Sequence, residues 1–266
     1  MSATDLKKRL VPKLLIKHRQ LGRALRPVLV TTRGYVEAID VGDPVSQAKI
    51  YEAQMADELI VLNIDGTPIG ADEVILGLIE RLASETFMPL AVGGGVRTVN
   101  DFARLLERGA DKVCVNRLAL DEPALLQEAA DRFGSQCVVV SIDFRSAADG
   151  RAIVHRDHAA TSVGLDVVAH ARAAVAQGAG ELLLTDADRD GGGAGLNCAV
   201  GRAVADVVPV PVILSGGCGL AEHFVEGFRA GAEAVAAGTF FSLRDQNPMQ
   251  ARAHVRNGGI PIRMET

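Results

Sequence analysis

Short apolar runs recur along the chain, and each is followed by a segment whose apolar positions return every three or four residues. The runs are Leu10–Ile16, Glu58–Ile64, Pro89–Val92, Lys112–Asn116, Cys137–Ile142, Glu181–Leu184, Val210–Leu214 and Ala234–Ala237. The helical patterns between and after them lie near Pro44–Ala56, Asp72–Thr86, Val99–Glu107, Pro123–Phe133, Leu165–Gln177, Ala199–Val207, Ala221–Arg229 and Pro248–Val255. Eight strands alternating with eight helices, with no linker, predict one α/β domain over residues 1–266, a single (βα)₈ barrel. An open doubly wound sheet is the competing architecture, and it usually carries a G-x-G-x-x-G turn after its first strand, which this chain lacks.

The two halves of the pattern echo each other. Val92-Gly93-Gly94-Gly95-Val96 resembles Leu214-Ser215-Gly216-Gly217-Cys218, and Arg108-Gly109-Ala110-Asp111 resembles Ala230-Gly231-Ala232-Glu233. Gly94 and Gly216 lie 122 positions apart, as do Gly109 and Gly231, and Val113 and Val235. A repeat of that length is half a barrel rather than a solenoid unit.

Composition refines this picture without changing it. Hydrophobic residues make up 48% of the chain but aromatics only 4%, which suits the layered Val, Leu, Ile and Ala interior of a parallel barrel. A net charge of −5 argues against nucleic-acid binding, which needs a clustered basic face. No stretch of 18 apolar residues predicts a membrane span, and Met1 to Lys8 lack the apolar core of a signal peptide. Cys114, Cys137, Cys198 and Cys218 form no C-x-x-C pair and read as reduced thiols of a cytoplasmic protein. His155 and His158 fall in an expected loop after the fifth strand, and His170 and His223 on helices, where exposed or capping roles are expected. No metal and no cofactor are assigned.

Candidate chemistry lies in the turns that follow strands. Gly-rich turns let backbone N–H groups approach an anion, and loops after strands 7 and 8 are where barrels commonly hold phosphate. Gly93-Gly94-Gly95 follows the third strand, Asp190-Gly191-Gly192-Gly193 the sixth, Ser215-Gly216-Gly217 the seventh and Gly238 the eighth. Each alone could be a tight turn; together at one barrel face they favour an anionic ligand. The phosphate-binding set, with Asn116, is Gly94, Gly95, Asn116, Gly191, Ser215, Gly216, Gly217 and Gly238. Asp143 ends the apolar strand Val138–Ile142, where a carboxylate would face the mouth and could move protons.

The ordered set Gly42-Asp43-Pro44, Asp57-Glu58-Leu59, Gly93-Gly94-Gly95, Gly109-Ala110-Asp111-Lys112-Val113 and Phe133-Gly134-Ser135-Gln136 continues through Val138–Asp143, Gly178-Ala179-Gly180-Glu181, Asp188-Arg189-Asp190-Gly191 and Ser215-Gly216-Gly217. Together these segments resemble the cyclase subunit of imidazole glycerol phosphate synthase, from about Arg9 to the last helix. The resemblance implies a glutaminase partner whose ammonia travels along the barrel axis to a phosphorylated small-molecule substrate at the opposite face. In the family that substrate is a ribulosyl aminoimidazole bisphosphate, with two phosphates for two loop sets. It also implies a catalytic aspartate at Asp143, a further acidic position at Asp190, and an ammonia entrance ringed by Arg9, Glu58, Lys112 and Glu181.

Three positions depart from the family pattern. Leu15 stands where the first catalytic aspartate is expected, Asn63 replaces the usual aspartate of the second strand with Asp65 two residues on, and Arg117 replaces a small hydroxyl residue that helps bind phosphate. Leucine cannot exchange a proton, and losing a positioned acid or base typically costs about 10²–10⁴ in rate. Leu15, Phe87-Met88-Pro89 and Asp57–Leu62 are similar to a divergent branch associated with nucleotide-sugar and surface-polysaccharide pathways, in which a separate amidotransferase builds amidino sugars. That resemblance implies an ammonia-handling subunit of a glutamine amidotransferase. The alternatives are a working cyclase of histidine biosynthesis and a non-catalytic scaffold that activates a glutaminase.

Overall fold

The computed structural model describes residues 7–243 and 246–263. Residues 1–6 of the polar N-terminal stretch therefore lie outside the described part. Among the described residues, eight strands run parallel in a closed ring: β1 (Arg9–Leu21), β4 (Leu59–Asn63), β5 (Leu90–Gly93), β6 (Lys112–Val115), β7 (Val138–Ser146), β10 (Glu181–Asp186), β11 (Val212–Ser215) and β12 (Ala234–Ala237). Pairing of β1 with β12 and of β7 with β10 closes the barrel. Helices α1 (Pro44–Ala53), α2 (Glu73–Glu85), α3 (Val99–Glu107), α5 (Pro123–Phe133), α6 (Val167–Ala176), α7 (Cys198–Ala205), α8 (Ala221–Arg229) and α10 (Pro248–Asn257) surround it, and two short helices, α4 (Arg117–Asp121) and α9 (Thr239–Leu243), follow β6 and β12. The ranges predicted for α3, α5, α8 and β12 coincide with those observed.

Side chains alternate across each strand, so the sequence sorts itself into two cores. Leu10, Leu14, Leu59, Val61, Val92 and Leu182 belong to the large outer core shared with the helices. Val11, Ile60, Ala91, Cys114, Val139, Leu183, Ile213, Ala234 and Ala236 form a separate inner cluster around the axis. Alanines at three of these positions suit an interior that narrows.

The half-barrel repeat extends to individual hydrogen bonds. Asp111 accepts from the N–H of Leu90 and donates its own N–H to the Leu90 carbonyl; Glu233 does the same with Val212. Asp111 and Glu233 lie 122 positions apart, as do Leu90 and Val212. At the start of α3, Asp101 Oδ2 accepts from the N–H groups of Arg97 and Thr98. At the start of α8 the Nδ1 of His223 accepts from Gly219 and Leu220 in the same way. An imidazole has therefore taken over a carboxylate's capping function, and His223 meets the capping expectation.

Two hairpins depart from the expected pattern. β2 (Ala24–Arg33) and β3 (Glu37–Gly42) continue antiparallel from an extended β1, and β8 (Ala152–Arg156) and β9 (Thr161–Asp166) continue from β7. Both stand on the rim, where charged and apolar residues mix and a period-2 signal is weak. His155 consequently lies on a strand rather than in a loop. His170 is buried on α6 instead of exposed, and burial lowers its pKa.

Candidate functional site

The strand C-termini and the two hairpins enclose a mouth with two adjoining cavities. The larger is lined by Gly94, Gly95, Asn116, Asp143 and Asp190, together with Arg97 and Arg117 nearer the rim. The smaller lies between Asp190, Gly191, Ser215, Gly216, Gly217 and Gly238. The residues expected from sequence to bind phosphate thus separate into two groups, one at each cavity. Their glycines also have a reason independent of any ligand. A Cβ on Gly94 (φ +90°) would stand 1.9 Å from the Asn63 carbonyl oxygen, and one on Gly216 (φ +88°) 2.4 Å from that of Asp186. Close chain crossing demands glycine there, so what surrounds these loops says more about ligands than the glycines do.

Asp143 faces inward because it shares parity with Val139 and Ser141 on β7. Its carboxylate accepts from the Tyr35 hydroxyl at 2.9 Å and from Asn116 Nδ2 at 3.0 Å. Burial pushes its pKa above the ordinary carboxylate value; the Tyr35 bond and nearby Lys13 pull back against it, and Asp190 adds to the rise. Tyr35 reaches this position from the β2–β3 turn, with an unusual φ of +65° for a residue bearing a large side chain. Burial first, and then the carboxylates of Asp143 and Asp190, hold the Tyr35 hydroxyl protonated well above its usual pKa. Replacing Tyr35 by Phe removes a donor that favours the carboxylate, so the Asp143 pKa should rise further. A carboxyl-carbon NMR titration should find the Asp143 midpoint above the ordinary value of 3.8 in the natural chain and higher still in Tyr35→Phe. An unchanged midpoint would remove Tyr35 from the account.

Asp190 lines both cavities and accepts from Thr32 Oγ1 at 2.6 Å. Leu15 also lines both, so an alkyl chain occupies the wall where the resemblance expects the first aspartate. The neighbouring acid does not substitute for it. Asp65 is held by His18 (2.8 Å) and Lys17 (3.8 Å) and does not line either cavity. Asn63 is committed to ordering its own loop through Thr67 and the N–H of Asp65. Arg117 lines the larger cavity but forms an ion pair with Asp157 of the β8–β9 turn, which diverts its charge from a phosphate.

The opposite end of the barrel is closed by charge. Arg9, Glu58, Lys112 and Glu181 form a ring in which each cation bonds both acids. Lys112 Nζ lies 2.9 Å from Glu58 and 2.7 Å from Glu181, while Arg9 donates to both as well. Burial works against the charges of Arg9 and Lys112, yet the two glutamates outweigh it and raise both pKa values. While the two glutamates are ionised, the raised pKa of Lys112 makes that lysine's contribution to stability complete below pH 10.5, and it is lost as pH climbs through the folded pKa of Lys112. The inner apolar cluster separates this ring from the mouth.

Sequence reasoning missed Lys13, Tyr35 and Thr32. Lys13 had a readable signal: with Arg9, Val11 and Leu15 it occupies the inward parity of β1, and it is a buried lysine in an apolar run. Among the described residues no group of three or more His, Cys, Asp or Glu is placed to hold a metal ion, and no helix is long and apolar enough to cross a membrane.

Residues 9–246 match the family model described as "Histidine biosynthesis protein". A protein of Prochlorococcus marinus (strain MIT 9313), provisionally named imidazole glycerol phosphate synthase subunit hisF2, is 48% identical over 260 residues, covering 98% of this chain and 99% of its own length. With the barrel, its half repeat and the charged floor, these matches show that the chain belongs to the family of cyclase subunits of imidazole glycerol phosphate synthase.

Proposed function

We propose that this chain is the ammonia-receiving subunit of a glutamine amidotransferase, diverged from cyclase chemistry. A glutaminase docks at the barrel floor, and ammonia passes the charged ring and the apolar axis to a phosphorylated acceptor in the mouth. The observation that carries the reading is a contrast between the two ends. The floor keeps all four ring residues, mutually paired, while the mouth has Leu15 in place of an acid or base. The finer assignment, amidotransfer in nucleotide-sugar or surface-polysaccharide synthesis with a separate sugar amidotransferase, rests on the resemblance of Leu15 and Phe87-Met88-Pro89 to the divergent branch.

Channelling is the property to test. Glutamine labelled with ¹⁵N at the amide is supplied to the reconstituted pair, the acceptor and any downstream amidotransferase, in excess unlabelled ammonium. Labelled product should dominate. Product that carries the isotope ratio of the bulk ammonium would mean that nothing passes through the barrel.

A further inference from the structure

The barrel's first strand does not stop at the mouth. Beyond Ile16, where its pairing with β4 ends, β1 runs on to Leu21 and turns back through Gly22 and Arg23 into β2. Gly22 takes the left-handed φ of +63° that a tight two-residue turn of this kind needs at its first position. From Lys17 to Leu21 and from Ala24 to Val28 the two strands pair only with each other, because β3 joins β2 from Leu29 onward. The result is a free two-stranded arm whose tip, residues 20–26, is exposed throughout. Its charge is one-sided. Lys17, Arg19, Arg23, Arg26 and Arg33 fall within residues 17–36, which hold neither Asp nor Glu, in a chain of net charge −5. Arg19 is paired with Asp40, but among the described residues Arg23 and Arg26 have no acidic partner within 4.0 Å. The tip is also apolar: Leu21 is 55% exposed and Leu25 50%. The register puts these leucines on opposite faces. Leu21 stands across from Ala24, in line with Arg19 and Arg26, whereas Leu25 stands across from Gln20, in line with Pro27.

We infer that the arm tip docks on an anionic lipid surface, with Leu21 and Leu25 entering the headgroup region and Arg23 and Arg26 meeting lipid phosphates. The opposed leucines decide the occupant. A protein surface laid against the arm covers one face and leaves the other leucine in water, whereas lipid closes round a tip from every side. The missing carboxylates agree, because a run of cations without acids suits a plane of negative charge better than a mixed protein surface. Arginine beside leucine also lets the guanidinium rise to the phosphates while its alkyl stem stays with the apolar chains. Each cation near such a surface strengthens binding about fivefold, so an arm of this size makes a weak, reversible contact. The arm stands at the mouth end of the barrel, where β1 leaves the ring. Docking therefore turns the mouth to the lipid and leaves the charged floor free. The inference goes beyond the proposed function and does not depend on it.

Co-sedimentation with vesicles tests this without a glutaminase or an acceptor. The probes are vesicles of phosphatidylglycerol and phosphatidylcholine in equal parts, and vesicles of phosphatidylcholine alone. At low salt and millimolar lipid the full chain should sediment with the anionic vesicles, and at least about tenfold less with the neutral ones. Raising the salt to about 0.5 M should weaken the binding strongly. The double variants Arg23→Glu/Arg26→Glu and Leu21→Asn/Leu25→Asn should each lose at least about tenfold in binding. Both should keep the natural melting temperature, because all four side chains are exposed. The chain has no Trp, so Leu25→Trp supplies a single reporter, whose emission should shift to the blue on anionic vesicles and not on neutral ones. Failure of the natural chain to bind anionic vesicles would overturn the inference, as would binding that both double variants retain. A dimer that the leucine variant dissociates, without vesicle binding, would mean that a second copy covers the arm, and the inference would equally fall.

Discussion

Supplied with ammonium salts and the histidine-pathway substrate, the purified chain should turn over at least about 10²-fold more slowly than the roughly 1–10 s⁻¹ of an ordinary enzyme. The reason is the chemistry of the mouth. Ring closure asks for one group to give a proton and another to take one; beside Asp143 the cavity has only an alkyl chain at Leu15, and its other carboxylate, Asp190, is engaged by Thr32. Neither Asp65 nor Asn63 can stand in, since both are bonded elsewhere. Tyr35 holds its proton too tightly to act as a base near neutrality. Leu15→Asp is the informative reversal. A carboxylate there would share the wall with Lys13 and should recover part of the lost rate if Leu15 is the main deficit. Recovery should stay incomplete, because Arg117 remains tied to Asp157. Ordinary turnover by the natural chain would make Leu15 irrelevant and restore the reading of a working cyclase.

The sequence made most of this arrangement legible, for reasons that can be stated residue by residue. Strands of a parallel barrel are buried on both faces, so runs such as Leu182–Leu184 stand out as unbroken apolar segments. The constant offset of 122 residues foretold a repeat that reaches down to the hydrogen bonds of Asp111 and Glu233. The rim hairpins were not legible, because β3 and β9 are largely exposed and carry no clean alternation. Tyr35 was lost with them: nothing local to Arg33-Gly34-Tyr35 says that a turn residue will fold back over a carboxylate 108 positions away. The pairing of Arg117 with Asp157 was hidden for the same reason, since it spans from one barrel loop to the second hairpin.

At the other end of the barrel, Lys112→Ala should leave assembly with a glutaminase intact and break the coupling between glutamine hydrolysis and ammonia delivery. Removing Lys112 leaves Glu58 and Glu181 sharing Arg9 alone, which opens one side of the ring and unbalances its charge. Losing one partner of a buried ion pair costs about 3–5 kcal/mol in the extreme, and less here because Lys112 is partly exposed. The variant should therefore fold with a lowered melting temperature, and hydrolysis should continue while labelled nitrogen escapes to solvent. Asp111, next to the ring, is a poor probe of docking, because its carboxylate accepts from the N–H of Leu90 and charge reversal would disturb β5 itself. Phe87 is a better one. It is 94% exposed three residues before the start of β5, at the floor end of the barrel, where a large apolar side chain is a natural anchor for a partner. Phe87→Asp should weaken the complex at least tenfold with no change in the melting temperature of the isolated chain.

The most direct test of the central claim is to co-express the chain with the candidate glutaminase from its own organism, isolate the complex and compare glutamine hydrolysis with that of the glutaminase alone. A one-to-one complex is expected, burying at least about 1,000 Å², with hydrolysis stimulated by this chain. If the natural chain neither binds nor stimulates any glutaminase of that organism, the amidotransferase reading fails, and the ring of Arg9, Glu58, Lys112 and Glu181 is only a brace across the barrel floor.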